Sequence, residues 1–450
     1  MSDFLITDYG AVSDGYKCTA NIQKAIDECY FNGGGRVVVP EGCFLTGCIR
    51  LRSNVTLYLR KGAELRGSRD PEDYMYLWSD DIEPLSSEDR EDCPWIPWYA
   101  ENGYELKFHK VPMSRWHNGL IRIFRADNVA VVGEEGSVIN GMDCFDELGE
   151  EYYRGPHAIS AFGSENIRLE GYTVKNSANW AHCLCNCSNI SVRKVTVIAG
   201  HDGVHCTSCD NVTVSECHFY TGDDCVAGID NINMTVLNCE LNSACSAFRL
   251  GGTNILINGC HIYAPCKYLF RGSLSDEEKR NGVQPQMEAN HRYNMLCAFT
   301  YYCDHSRDIR VQPGHIRVRN CTIENADRLL HYNFSGNEPW QSNKPLESIS
   351  FENVTAKGLV THGNAYGDKD VPLELSFKNC DFQVDEGADI DAFLRVCNFK
   401  RISFDNVNIS NLKNNPFIKK WSDGEIALNA THCDNELIVD ADGEFIENPI

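Results

Sequence analysis

No run of about 18 apolar residues occurs in the 450-residue sequence, so a membrane-spanning helix is not expected. The opening stretch from Met1 to Gly10 lacks a basic patch followed by an apolar run, and no secretory leader is expected from it. Positive charge is in short supply: 41 Lys and Arg stand against 64 Asp and Glu, a formal net charge of −23. Such an acidic surface repels phosphate backbones and excludes nucleic acid as the expected partner, while leaving room for a locally basic pocket. Hydrophobic residues at 42% and aromatics at 10% argue for a folded chain with a sizeable core. Cysteine is not scarce. Its count of 23 is odd and cannot pair completely within the chain. Without an export signal, the expectation is free thiols in a reducing cytoplasm rather than a disulfide framework.

What the sequence does have is a beat. Short β-branched phrases headed by asparagine begin at Asn166, Asn189, Asn211, Asn233 and Asn254, in steps of 23, 22, 22 and 21 residues. Cys217, Cys239 and Cys260 keep the same spacing. A period near 22 with about three strands per repeat predicts the coils of a parallel β-helix, all-β and single-stranded. Leucine-rich repeats of that length would need leucines at fixed offsets, which are absent. Stacked coils bring equivalent residues roughly 4.8 Å apart, so most of the cysteines are expected to pack in the core.

Weaker coils are expected around Asn54 and Asn128 and at Ile316, Ile349, Leu375 and Ile402, carrying one solenoid domain through residues 1–450. Thr19 to Cys29 reads as an amphipathic helix stopped by Gly33-Gly34-Gly35, the expected N-terminal cap of the stack. Residues of about 70–118 and 273–313 break the beat and are expected to be loops over the cleft. Their aromatics (Trp78, Trp95, Trp98, Tyr99, Trp116, Tyr293, Phe299, Tyr301, Tyr302) can stack on sugar rings, fill a loop core or form a homo-oligomer contact.

Three carboxylates fall in successive coils, Asp202 in Gly200-His-Asp-Gly and Asp223-Asp224 in Gly222-Asp-Asp-Cys. Asp202 and Asp224 are one repeat apart, which predicts a cluster on adjacent rungs. Like charges so close raise the pKa of one member, and a protonated acid beside an ionised base is what glycosidic cleavage requires. Solvated turns or a cation site would use the same residue types.

Together these segments resemble glycoside hydrolase family 28, the polygalacturonase-like right-handed parallel β-helix enzymes. The resemblance rests on Gln23-Lys-Ala-Ile-Asp, Gly33-Gly-Gly-Arg-Val-Val-Val-Pro, Leu51-Arg-Ser-Asn-Val-Thr-Leu, Asn176-Ser-Ala-Asn-Trp and Gly222-Asp-Asp-Cys-Val-Ala. It implies an inverting hydrolysis without metal or cofactor, with Asp223 as general acid and Asp202 and Asp224 activating the water. Two motifs depart from the family. Cys245 stands where its histidine is expected, and no intact Arg-Ile-Lys run follows. Arg271, Lys267 and Arg249 are the cations expected to take its place, and His201 and His205 are further candidates for binding substrate.

A zinc site across Cys183, Cys185, Cys187, Cys206 and Cys209 is weighed and set aside, because only one half has Cys-x2-Cys spacing. The expected ligand is an oligosaccharide of galacturonide or rhamnogalacturonide type, and a cytoplasmic address suits short imported fragments. The rival readings are a uronate lyase or epimerase, and a glycan-binding β-helix without catalysis.

Overall fold

The computed structural model describes residues 2–75, 116–282, 293–388, 390–433, 438–442 and 445. Almost every strand pairs in parallel with the strand one coil away, giving the parallel β-helix that the repeat predicts, right-handed as the resemblance implies. Contacts divide the chain into two compact units, Met1–Asp223 with Tyr268–Asn290, and Asp224–Lys267 with His291–Ile450.

In the first unit the register stacks one apolar column: Val37, Leu57, Val131, Leu169, Val192 and Val214 lie on successive rungs, all buried. The asparagines that set the beat occupy the left-handed turn entering each strand, with φ of 63° at Asn54, 56° at Asn128, 57° at Asn166, 55° at Asn189 and 56° at Asn211. Asparagine tolerates that conformation better than other side chains with a Cβ. Its amide then donates to the asparagine one rung back, from Asn128 to Asn54 and on through Asn166, Asn189 and Asn211 at 3.1–3.2 Å. The helix Thr19–Phe31 caps this unit, burying Ile22, Ala25, Ile26 and Cys29. The side-chain amide of Gln23 pairs with the backbone of Arg50 in both directions, at 3.0 and 2.8 Å, and so satisfies part of a strand edge.

The second unit stacks Val236, Ile257, Val318, Phe351, Phe377 and Phe404 in register. The rings of Phe351, Phe377 and Phe404 lie nearly parallel at 5.2 and 4.8 Å. Thiols of both units donate to carbonyls of their own rung, as Cys217 does to Ser215 at 3.2 Å and Cys380 to Lys378 at 3.3 Å.

The second off-beat segment is not all loop. Met295–Tyr301 is a strand paired with Ser246–Asn258 on one side and Ala326–Asn333 on the other. Asn294 precedes it but lies off the 22-residue beat and lacks the positive φ of the asparagines that set it. Phe299 and Tyr301 are buried in this rung, and Tyr293 is exposed. Trp78, Trp95, Trp98 and Tyr99 lie outside the described residues.

Candidate active site

The two acidic motifs open with glycine for one shared reason. The segment Leu269–Arg271 crosses close to both: a Cβ on Gly222 would fall 2.3 Å from the Leu269 carbonyl oxygen, and one on Gly200 would fall 2.6 Å from the Arg271 Cβ. The amide of Arg271 also donates to the Gly200 carbonyl at 3.1 Å.

In the first unit, Asp202 is buried at the mouth of the strand Val204–Thr207. Its Oδ2 accepts a hydrogen bond from Nδ1 of His205 at 2.7 Å. That bond sets the tautomer and turns Nε2 away from Asp202. The imidazole of His205 lies flat on the indole of Trp180, 3.6 Å between centroids and 5° from parallel. Trp116 meets Trp180 edge-on at 5.0 Å. Asp223, with 21% of its side chain exposed, lies 3.7 Å from Nη2 of Arg154.

Arg154 is the hub of a network that the repeat did not show. It contacts Glu151 at 3.1 Å and Glu150 at 3.7 Å, and it donates to Asn179 Oδ1 at 3.4 Å. These anions hold its guanidinium charged well beyond the usual range, against the effect of burial. Asn179 donates in turn to Glu150 at 3.1 Å. Burial pushes Glu150 up to about 7; the negative charges of Glu151 and Asp202 add to the shift, while Arg154 and Asn179 oppose it. The unit thus places a carboxylic acid that keeps its proton near neutrality in the field of Asp202. Glu150 and Arg154 sit in an irregular stretch between strands, where no periodicity marks them. The pair Asn179-Trp180 stood within a quoted motif without being singled out.

Two expected contacts with substrate prove to be interior residues. His201 is fully buried, edge-on to Phe270 at 5.8 Å and tilted against Tyr153, and neither ring nitrogen has a hydrogen-bond partner among the described residues. Burial, then the cations Arg154, Arg271 and Lys279, push its pKa well below the usual imidazole range, so it is neutral. Arg271 is 1% exposed and spends its guanidinium on the carbonyls of Asp143 at 2.5 Å, Lys279 at 3.2 Å and Ala178 at 3.4 Å. Its length lets it tie the crossing segment to the carbonyls of Asp143, Ala178 and Lys279.

In the second unit, Asp224 is buried and its Oδ1 accepts from the amide of Ser246 at 3.1 Å. Its Oδ2 lies 3.8 Å from Nη1 of Arg249. The Arg249 guanidinium sits over Tyr302 at 4.2 Å and Trp340 at 4.9 Å, held by two aromatic faces. Cys245 is half-buried, its amide bound to Ser243 Oγ at 2.7 Å. Lys267 is exposed and donates to the Tyr263 hydroxyl at 3.0 Å.

Residues 107–246, which contain all three acids, match the sequence profile described as "Glycosyl hydrolases family 28". The chain is similar to polygalacturonase-like proteins of that family. It is 27% identical over 234 residues to a Vitis vinifera protein named "Probable polygalacturonase", covering 49% of this chain and 43% of that one. It is 29% identical over 251 residues to an exo-poly-alpha-D-galacturonosidase of Dickeya chrysanthemi, covering 49% and 41%. The chain therefore spans less than half the length of these curated relatives. Among solved structures, the family 28 exopolygalacturonase of Yersinia enterocolitica shares the fold, with a TM-score of 0.59 at 17% identity over 95% of this chain and 78% of that one.

Proposed function

We propose that this protein is a glycoside hydrolase that cleaves O-glycosidic bonds of pectin-derived oligosaccharides, of galacturonide or rhamnogalacturonide type, with inversion at the anomeric carbon. The carrying observation is the pairing of buried Asp202 with His205, inside the family-matched segment and one coil before Asp223-Asp224. In this reading Asp223 gives its proton to the leaving oxygen, and Asp202 and Asp224 draw the proton from the attacking water. His205 fixes the direction in which Asp202 presents its oxygens. Arg249, stacked on Tyr302 and Trp340, supplies the cation for a sugar carboxylate. An acid and a base carboxylate add water across the bond without a metal, so the reading needs no cofactor. A reducing, cytoplasmic setting belongs to the same proposal.

The test is a screen of pectin-derived and other plant oligosaccharides with the protein and its Asp223→Asn variant, read by mass spectrometry and anomeric proton NMR. A saturated product of inverted anomer that the variant fails to make supports the reading. An unsaturated product absorbing in the ultraviolet, or binding without turnover, overturns it.

A further inference from the structure

Cys183 and Cys185 leave the strand His182–Cys185 on the same face, two residues apart, and their sulfurs are 3.8 Å from each other. His117 comes from a different part of the chain, and one ligand atom from each of the three residues falls within 4.8 Å of the others. All three side chains are buried. Two sulfurs held at about 2.3 Å from one zinc ion, at the tetrahedral angle, stand about 3.8 Å apart. The thiols therefore already have the spacing of a shared ligand pair.

The surroundings hold the third ligand in place. The His117 ring packs edge-on against Phe124 at 6.1 Å and Phe162 at 5.5 Å, and Phe162 is the rung neighbour of Cys185. These rings leave the imidazole little freedom to turn and keep the pocket apolar. Two thiolates and a neutral imidazole suit a soft or borderline cation and offer nothing to calcium or magnesium, which take oxygen ligands. Charge decides among the soft ions. Zn(II) with two thiolates and one imidazole is neutral overall, whereas Cu(I) would leave a net negative charge buried.

We propose that His117, Cys183 and Cys185 form a binding site for one Zn(II) ion, separate from the acidic motifs. On binding, the two thiols release their protons to solvent, two Zn–S bonds and one Zn–N bond form, and no electron is transferred. The site is independent of the glycosidase reading, since none of its residues is given a role there. Cys187 and Cys209 lie outside it. Their thiols donate to the carbonyls of Cys185 and Leu184, at 3.1 and 3.2 Å.

The full-length protein, reduced and reconstituted with Zn(II) and then dialysed against a metal-chelating resin, is assayed by elemental mass spectrometry. About one zinc per chain is expected. The content should fall at least tenfold in His117→Gln and Cys185→Ser, and stay unchanged in Cys209→Ser. Circular dichroism checks that each variant is folded. Co(II) added to the wild-type apoprotein gives a readout that needs no variant: thiolate-to-cobalt charge-transfer absorption in the near ultraviolet is expected. Acidification should release the metal as protons compete for the sulfurs. The proposal is overturned by wild-type protein that retains no zinc, by equal zinc in wild type, His117→Gln and Cys185→Ser, or by cobalt that binds without thiolate bands.

Discussion

The imidazole of His205 is stacked on the indole of Trp180 at 3.6 Å while its Nδ1 is bonded to Asp202 at 2.7 Å. One face contact and one hydrogen bond fix the ring in both tilt and rotation. Trp180→Leu keeps apolar volume there but removes the flat surface. If Asp202 works through this geometry, kcat/KM on the substrate found in the screen should fall about 10- to 100-fold. The urea midpoint should report a loss of only about 1 kcal/mol from the ring pair. Full activity in a folded Trp180→Leu protein would show that the stack does not position the acid.

Acid should destabilise the first unit, and the sign follows from its histidines. Burial lowers His157 to about 3 and His182 to about 4 from 6.5, and His201 goes well below that value. The unfolded chain binds these protons below pH 6.5 and the folded chain does not, so stability present above 6.5 is lost as pH falls toward 4. Glu150 works the other way. Raised from 4.5 to about 7, it contributes stability below pH 4.5 that is lost as pH rises through 7. Glu150→Gln removes this opposing slope. Urea midpoints between pH 4.5 and 6.5 should then change more steeply than in wild type, by up to about 1.4 kcal/mol per pH unit. An unchanged slope would mean that Glu150 does not hold a proton near neutrality.

The asparagine ladder separates two contributions that the sequence alone merges. Asn189 has φ of 55°, donates to Asn166 at 3.2 Å and accepts from Asn211 at 3.1 Å. Asn189→Gly keeps the left-handed turn and loses the amide contacts, at about 1 kcal/mol. Asn189→Ala loses both, and the left-handed backbone costs about 1–2 kcal/mol more. Thermal or urea unfolding should rank wild type above Gly above Ala. Equal stability of the two variants would leave the backbone conformation without a role in choosing asparagine.

That ladder was legible because it repeats. Asn166 through Asn211 announce the rung length, the strand starts and the inward column that includes Leu169, Val192 and Val214. Asp202 and Asp224 were legible for the same reason, standing one repeat apart in the sequence. Glu150, Arg154 and His117 were not, because they come from irregular chain whose path over the rungs no period encodes. Arg271 and His201 show the converse. Both carry chemistry that suits a sugar site, yet the crossing segment that packs on Gly200 and Gly222 takes them inside. Motif spacing reports the rung a residue occupies and is silent on what covers it.

Arg249 is the cation whose surroundings are built for a planar charge. Its guanidinium lies over Tyr302 at 4.2 Å and Trp340 at 4.9 Å, 3.8 Å from Asp224 Oδ2. A lysine keeps the charge but cannot spread a flat ion across two rings while offering a fork of donors. Arg249→Lys should therefore lose about 1–2 kcal/mol of interaction with a bound carboxylate. That corresponds to roughly 5- to 30-fold in KM for uronate-containing oligosaccharides. Analogues whose sugar carboxyl is reduced to an alcohol should lose far less. An equal loss on acidic and neutral analogues would place the role of Arg249 in holding Asp224 and the aromatic pair, and uronate recognition would then have to come from elsewhere in the chain.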